Sequence, residues 1–295
     1  MTYSPTAFQF THLLQRVYDR LEQTKTLTAT GGSTTTVIDT SINADIQDDT
    51  YNGYTLFVNY DAGGAGAAPE GDIRTVSDYV QSTTTLTVAA FSSSSSVAAG
   101  DIIVLARKSL YPLADVKRLC SNALKKLGDI PVPDTSLTTA ANQTEYDIPS
   151  GVRWDDIVSV EIQGNTSDSN DNRYYPVSFR VVSPTTPGGT ATLVLDQHSS
   201  GRTIRITSVR PHANLRDYDD DINGAIHEEL AVAACALECA KWQRQASADM
   251  LPTLQSDFAL AFQLHPVPRF VKQVPGMPHW SNKRSYPGDQ SIFDR

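Results

Sequence analysis

Several constellations in this chain are built from residue types that do chemistry. His227-Glu228-Glu229-Leu230-Ala231 opens like a zinc-protease helix, where two histidines four residues apart hold the metal and a glutamate serves as base. The second histidine belongs at position 231, which is alanine, so the zinc reading fails and His227 reads as a solvent-facing helix residue. Asp219, Asp221 and Asn223, followed by Gly224 and Ile226, match the first half of a calcium loop, with oxygen ligands, a turn glycine and an apolar residue in order. The closing bidentate glutamate is missing: its place is taken by Leu230, and Glu229 comes one residue early. The same acidic run also suits the lead-in to a helix, whose N-terminal dipole favours negative charge. Calcium is therefore an incomplete candidate on Asp219, Asp221 and Asn223.

Cys235 and Cys239 lie one helical turn apart and are soft ligands, but no nearby histidine or third cysteine completes a set. They read as small buried hydrophobes. Gly63-Gly64-Ala65-Gly66 lacks the lysine of a phosphate-binding loop, and no helix follows it. There is no GxSxG elbow and no clear Cys/His pair. We assign no catalytic residue and no cofactor, and read the chain as a non-enzyme.

The remaining candidate is a surface for a partner. Residues 265–295 hold five prolines and five Lys/Arg against two Asp, while the rest of the chain carries nineteen basic against thirty-one acidic residues. Proline at this density favours extended chain. The aromatics on it have nothing local to bury against. We read Arg269, Phe270, Lys272, Trp280, Lys283, Arg284 and Tyr286 as a partner-binding arm whose charge is opposite to that of the body.

The balance of the whole chain is acidic, with a formal net charge of −9 over 295 residues. That argues against gripping a nucleic-acid backbone, which needs a basic face, and against adhesion to an anionic membrane. No stretch reaches the apolar length of a transmembrane helix. MTYSPTAFQF has neither a basic nor an apolar signal region. Three cysteines do not make a disulfide framework, and synthesis in a reducing cytoplasm fits.

The elements that must position these residues follow from periodicity. Ile222 to Ala246 carries an apolar stripe at helical spacing, rich in alanine, and reads as the central helix. Ala7–Glu22, capped near Ser4-Pro5-Thr6, and Leu113–Gly128 read as two further helices. A break at Met250-Leu251-Pro252 precedes a further amphipathic turn or two. Between the helices the period changes to two. Strands are expected at 34–39, 54–60, 70–79, 84–90 and 101–106, and again at 145–148, 156–163, 174–182, 190–196 and 203–209. The expected fold is α+β: a small helical frame of three main helices with two inserted antiparallel β units and an extended C-terminal arm. Its parts are helix one (1–25), an inserted barrel- or sandwich-like unit (26–107), helix two (108–130), a second β unit (131–210), the central helix with C-terminal turns (211–264), and the arm (265–295). The inserted unit is expected to be removable without loss of the remaining core.

This layout resembles the head-to-tail adaptor proteins of tailed bacteriophages, the rings bound beneath the portal. The residues that carry the resemblance are Thr144-Glu145-Tyr146-Asp147-Ile148-Pro149, the strand Asp156–Ile162, the passage Thr203–Ile206 to Arg210-Pro211, the acidic Asp217–Asp221 and the alanine-rich helix. Similar adaptors carry a "YDLP" strand entry, a β unit, an "RP" exit and a helix full of alanines. The resemblance covers residues 108–264; the 26–107 segment departs from the plain adaptor and is similar to β insertions of phage structural proteins. It implies a structural virion protein at the neck, made in the host bacterial cytoplasm. It further implies a homo-oligomeric ring, a dodecamer, that binds the portal and neighbouring tail or neck proteins. Genomic DNA would pass through its conduit without specific binding, and an acidic wall suits that passage. The alternative reading is a tail, baseplate or fibre-associated virion protein that uses 26–107 to bind carbohydrate or a neighbouring subunit.

Overall fold

The computed structural model describes residues 8–42, 46–63, 70–92, 95–107, 111–164, 173–184, 186, 189–243 and 250–268. These residues divide into two compact units, one formed by those of 8–127 together with 212–267, the other by those of 128–211.

The first unit joins helices to a large sheet. Its helices are α1 (Phe10–Arg20), α2 (Leu113–Lys126), α3 (Glu228–Gln243) and α4 (Met250–Leu264). Its strands are β1 (Thr24–Thr28), β2 (Gly31–Gly32), β3 (Thr36–Ile38), β4 (Thr55–Tyr60), β5 (Ile73–Val80), β6 (Thr85–Val88) and β7 (Ile102–Ala106). They form one antiparallel sheet in the order β1-β7-β4-β5-β6-β3-β2. Leu27, Val37, Leu56, Val58, Val76, Tyr79, Leu86, Ile103 and Leu105 share a core on one side of it. Strand alternation sends Phe57, Val104 and Ala106, also buried, to the other face. There Phe57 meets Tyr18 of α1, ring centroids 6.1 Å apart, and the Tyr18 hydroxyl donates to the Tyr111 carbonyl at 2.7 Å. At the narrow end, a Cβ on Gly32 would lie 2.4 Å from the Thr36 carbonyl oxygen, so the short β2–β3 corner requires glycine.

The second unit holds β8 (Asp129–Thr138), β9 (Glu145–Asp147), β10 (Ile157–Gln163), β11 (Tyr174–Pro176), β12 (Phe179–Val182), β13 (Thr192–Leu195) and β14 (Thr203–Pro211). They form a four-stranded sheet, β11-β10-β14-β8, and a three-stranded sheet, β12-β13-β9, both antiparallel. Val160, Ile162, Ile204 and Ile206 of the first sheet share one core with Tyr146, Phe179, Leu193 and Leu195 of the second. The alternating burial of β14 is what a strand buried on one face requires.

The expected fold class is therefore corrected. The chain is mostly β, with fourteen strands in three antiparallel sheets and four helices among the described residues. It is not a three-helix frame carrying two small β units. Three strands the periodicity did not announce make the difference. β1 and β2 are Thr- and Gly-rich, and β8 contains Pro131 and Pro133. These prolines are accommodated because β8 is an edge strand, where a missing N–H faces away from the ladder. The seven-stranded sheet belongs to the same compact unit as the helices.

The helices differ from expectation as well. Ile222 and Ile226 are buried but precede α3, which starts at Glu228. Every residue from Leu230 to Leu237 of that helix is buried, so it is a core rod rather than a one-sided stripe. α1, α2 and α4 all pack on it. The expected C-terminal turns are a full helix of fifteen residues, with Pro252 tolerated in its first turn. Gly128 ends α2 with φ at 111°, a conformation glycine adopts freely. The proposed cap Ser4-Pro5-Thr6 lies outside the described residues.

Candidate functional site

The acidic residues at the start of α3 are used to position helices. Arg16 of α1 donates to Glu228 at 2.7 Å and also to Glu229. One turn on, Arg20 reaches Glu229 at 3.4 Å and Asp257 of α4 at 2.8 Å. Two arginines four residues apart on α1 thus hold the first turn of α3 and the middle of α4. His227 is exposed, as its sequence context suggested, but it immediately precedes α3 rather than standing on it. Its Nδ1 accepts the Glu229 N–H at 3.3 Å, and its ring stacks on His265 with centroids 3.6 Å apart. It caps one helix and touches the end of another.

Of the calcium candidates, Asn223 bonds within a turn. Asn223 Oδ1 accepts the Ala225 N–H at 2.9 Å, and the Asn223 N–H donates to His212 Nε2 at 3.2 Å. Asp221 forms a backbone bridge with Gln9, and Asp219 is exposed. Asp220, which the ligand pattern passed over, accepts N–H groups from Arg216 at 2.6 Å and Asp217 at 3.0 Å. Those bonds hold its carboxyl below the ordinary range. Backbone bonds from Phe10 to Asp220, Thr11 to Tyr218 and Ile222 to Phe8 make this acidic stretch a brace along the start of α1. An open hollow of about 710 Å³ lies here, bordered by Phe8, Asp221, Asn223, His227 and Glu228. No group of three or more His, Cys, Asp or Glu able to hold a metal occurs among the described residues.

Cys120, Cys235 and Cys239 are all free and buried where α2 crosses α3. The Cys235 thiol lies 3.7 Å from the Cys120 carbonyl. Burial pushes the Cys120 thiol well up, and the hydrogen bond with Cys120 together with burial does the same for Cys239. Protonated buried thiols are poor nucleophiles and poor metal ligands.

The least satisfied surface of this unit is α4. Only Leu254 and Ala261 of that helix are buried, while Leu260, Phe262 and Leu264 are 56%, 39% and 63% exposed. Beside it, α2, α3 and α4 enclose a slot of about 160 Å³. Ala123, Leu127, Ala234, Leu237 and Phe258 make it apolar, and Lys126, Glu238 and Lys241 line its polar part. Lys126 pairs with Glu238. Phe262 sits next to Phe258, ring centroids 6.1 Å apart. Sequence reasoning missed this surface because it took the segment for a turn or two. The signal was present: Leu251, Leu254, Phe258, Leu260, Ala261, Phe262 and Leu264 are more apolar residues than one helix face can hide.

Of the residues singled out for the arm, Arg269, Phe270, Lys272, Trp280, Lys283, Arg284 and Tyr286 all lie outside the described residues. Comparison of the chain with protein-family models, with curated proteins and with solved structures found no match.

Proposed function

We propose that this chain is a structural virion protein: a head-to-tail adaptor that assembles as a ring beneath the portal, joins capsid to tail and surrounds the DNA path. The observation that supports it most is the exposed apolar side chains of α4. Leu260 and Leu264, one turn apart on one side of the helix, and Phe262 on the other side stand on a helix whose inner face is already docked on α3. Apolar side chains exposed this way mark surfaces that another protein covers. The resemblance of segments 144–162 and 203–240 to phage adaptors gives that partner its identity, another copy of the chain within the ring, with portal and tail proteins above and below. The acidic balance of the chain suits a conduit that lets DNA slide. The basic, aromatic 269–295 segment suits attachment to an acidic neighbour. The test is electron microscopy of the purified full chain mixed with portal particles. The proposal requires closed rings seated coaxially on the portal; single copies scattered on the particle surface, or no association, would refute it.

A further inference from the structure

We infer that Asn223 is a site of spontaneous self-modification: the Gly224 nitrogen attacks its side-chain amide, and the residue ages into aspartate and isoaspartate just before α3. The inference stands apart from the ring reading above. The chain has two Asn-Gly pairs, Asn52-Gly53 and Asn223-Gly224. Glycine leaves the attacking nitrogen unshielded, because it carries no Cβ. The fold treats the two pairs oppositely. The Gly53 N–H donates to the Val76 carbonyl at 2.7 Å, and Asn52 Nδ2 donates to Asp49 Oδ1 at 2.7 Å. Both reacting groups of that pair are tied down. The Gly224 N–H makes no hydrogen bond among the described residues. Gly224 is exposed and borders the open hollow of about 710 Å³, so water reaches it.

The Asn223 side chain is already folded back along its own main chain. Its Oδ1 accepts the Ala225 N–H at 2.9 Å, and the Ile226 N–H closes the turn on the Asn223 carbonyl at 2.9 Å. Loss of the Gly224 amide proton to base in the solvent lets that nitrogen attack Cγ. The electron pair of the side-chain carbonyl moves onto Oδ1, where the Ala225 N–H is placed to stabilise the oxyanion. The N–Cγ bond forms and the Cγ–Nδ2 bond breaks. Nδ2 leaves as ammonia, taking up a proton in place of the one Gly224 lost. Water then opens the five-membered imide by breaking one of its two C–N bonds, which gives aspartate or isoaspartate. Either product adds a carboxylate to a stretch that already holds Asp221 and Glu228. Isoaspartate also lengthens the main chain by one carbon, next to the bond between the Asn223 N–H and His212.

Peptide mass spectrometry tests this. Full-length protein is incubated at mildly alkaline pH in water enriched in heavy oxygen, either folded or in guanidinium chloride, and the peptides holding Asn52 and Asn223 are followed over time. In the folded chain Asn223 is expected to convert about tenfold faster than Asn52, since freeing the Gly53 N–H first costs a hydrogen bond. Isoaspartate should appear among the products, with heavy oxygen incorporated. In denaturant the two rates should come together. Gly224→Ala should slow conversion of Asn223 on the order of tenfold, because a Cβ then crowds the nitrogen. A Cβ at that position meets nothing within 4 Å, so this variant keeps the fold, as circular dichroism checks. Asn52 converting as fast as Asn223 in the folded chain, Asn223 converting only in denaturant, or a folded Gly224→Ala protein converting at the wild-type rate would each overturn the assignment.

Discussion

Arg20 and Asp257 meet at 2.8 Å and tie α1 to α4 across 237 residues of chain. Both side chains are about one-third exposed, so water screens the pair. Asp257→Asn should lower unfolding stability by only ~0.2–1 kcal/mol, the range for exposed pairs. A double-mutant cycle with Arg20→Gln in urea denaturation measures the coupling; a value of several kcal/mol would mean that α4 is held mainly by charge rather than by Leu254 and Ala261.

His212 is buried between two backbone groups, with Nδ1 2.8 Å from the Ala213 carbonyl and Nε2 accepting the Asn223 N–H. This fixes the tautomer with the proton on Nδ1. His212→Ala removes a buried ring and one hydrogen bond to the part-buried Asn223 N–H. A loss of about 0.5–1.5 kcal/mol is expected from that hydrogen bond, read as a lowered urea midpoint with an unchanged slope.

Acid sensitivity should begin at His12. Burial lowers its folded-state pKa from the ordinary 6.5, against an opposing pull from Glu228 and Glu70. The unfolded chain then takes up a proton at higher pH than the folded one, so protons favour unfolding. Stability present above pH 6.5 is lost as pH falls through the depressed folded value. Asp220, lowered from 3.8 by its backbone bonds to Arg216 and Asp217, adds a loss of the same sign at more acid pH. His12→Gln should flatten the first phase of a plot of melting temperature against pH and leave the second.

The seven-stranded sheet and the helices should melt as one. Phe57 is fully buried against Tyr18, and Phe57→Ala should cost about 3–5 kcal/mol. Removal of residues 24–106 should leave α1 without the sheet face it packs on, and the remaining helices should lose cooperative unfolding by calorimetry. A truncated protein with one sharp transition would restore the view of that segment as an insertion.

Much of the strand content was legible from period-two alternation. β3 to β7, β9, β10, β13 and β14 overlap the segments expected from it. β1, β2 and β8 were not legible because Thr-Lys-Thr, Gly-Gly and Pro-rich sequences carry no alternation; ladder partners make them strands. Fold class was misread for the same reason. Periodicity marks which face of a strand is buried, but not that β4 is covered on both faces and so belongs to the helices' unit. The start of α3 was misplaced because Ile222 and Ile226 fall on helical spacing, while the Ile222 N–H donates to the Phe8 carbonyl just before α1 and the Ile226 N–H closes a turn on Asn223. The slot needs three helices at once, and no single stretch of sequence displays it.

The arm carries its own prediction. Truncation after Leu264 should preserve the melting temperature and abolish portal capture. Trp280→Ala should weaken capture more than Lys283→Ala or Lys272→Ala, since buried aromatics dominate interfaces while rim charges contribute little. Equal losses from all three would point to purely electrostatic attachment.

Self-assembly through α4 is the most direct consequence of the ring proposal. Leu260→Glu/Leu264→Glu places two charges on side chains that are 56% and 63% exposed in the single chain, so the fold should be unaffected. Sedimentation velocity with portal present, beside circular dichroism of each protein, is the direct measurement. The prediction is a large ring species for wild type and only folded single copies for the double variant. Wild type that stays a single copy with portal, or a double variant that assembles as wild type does, would contradict it.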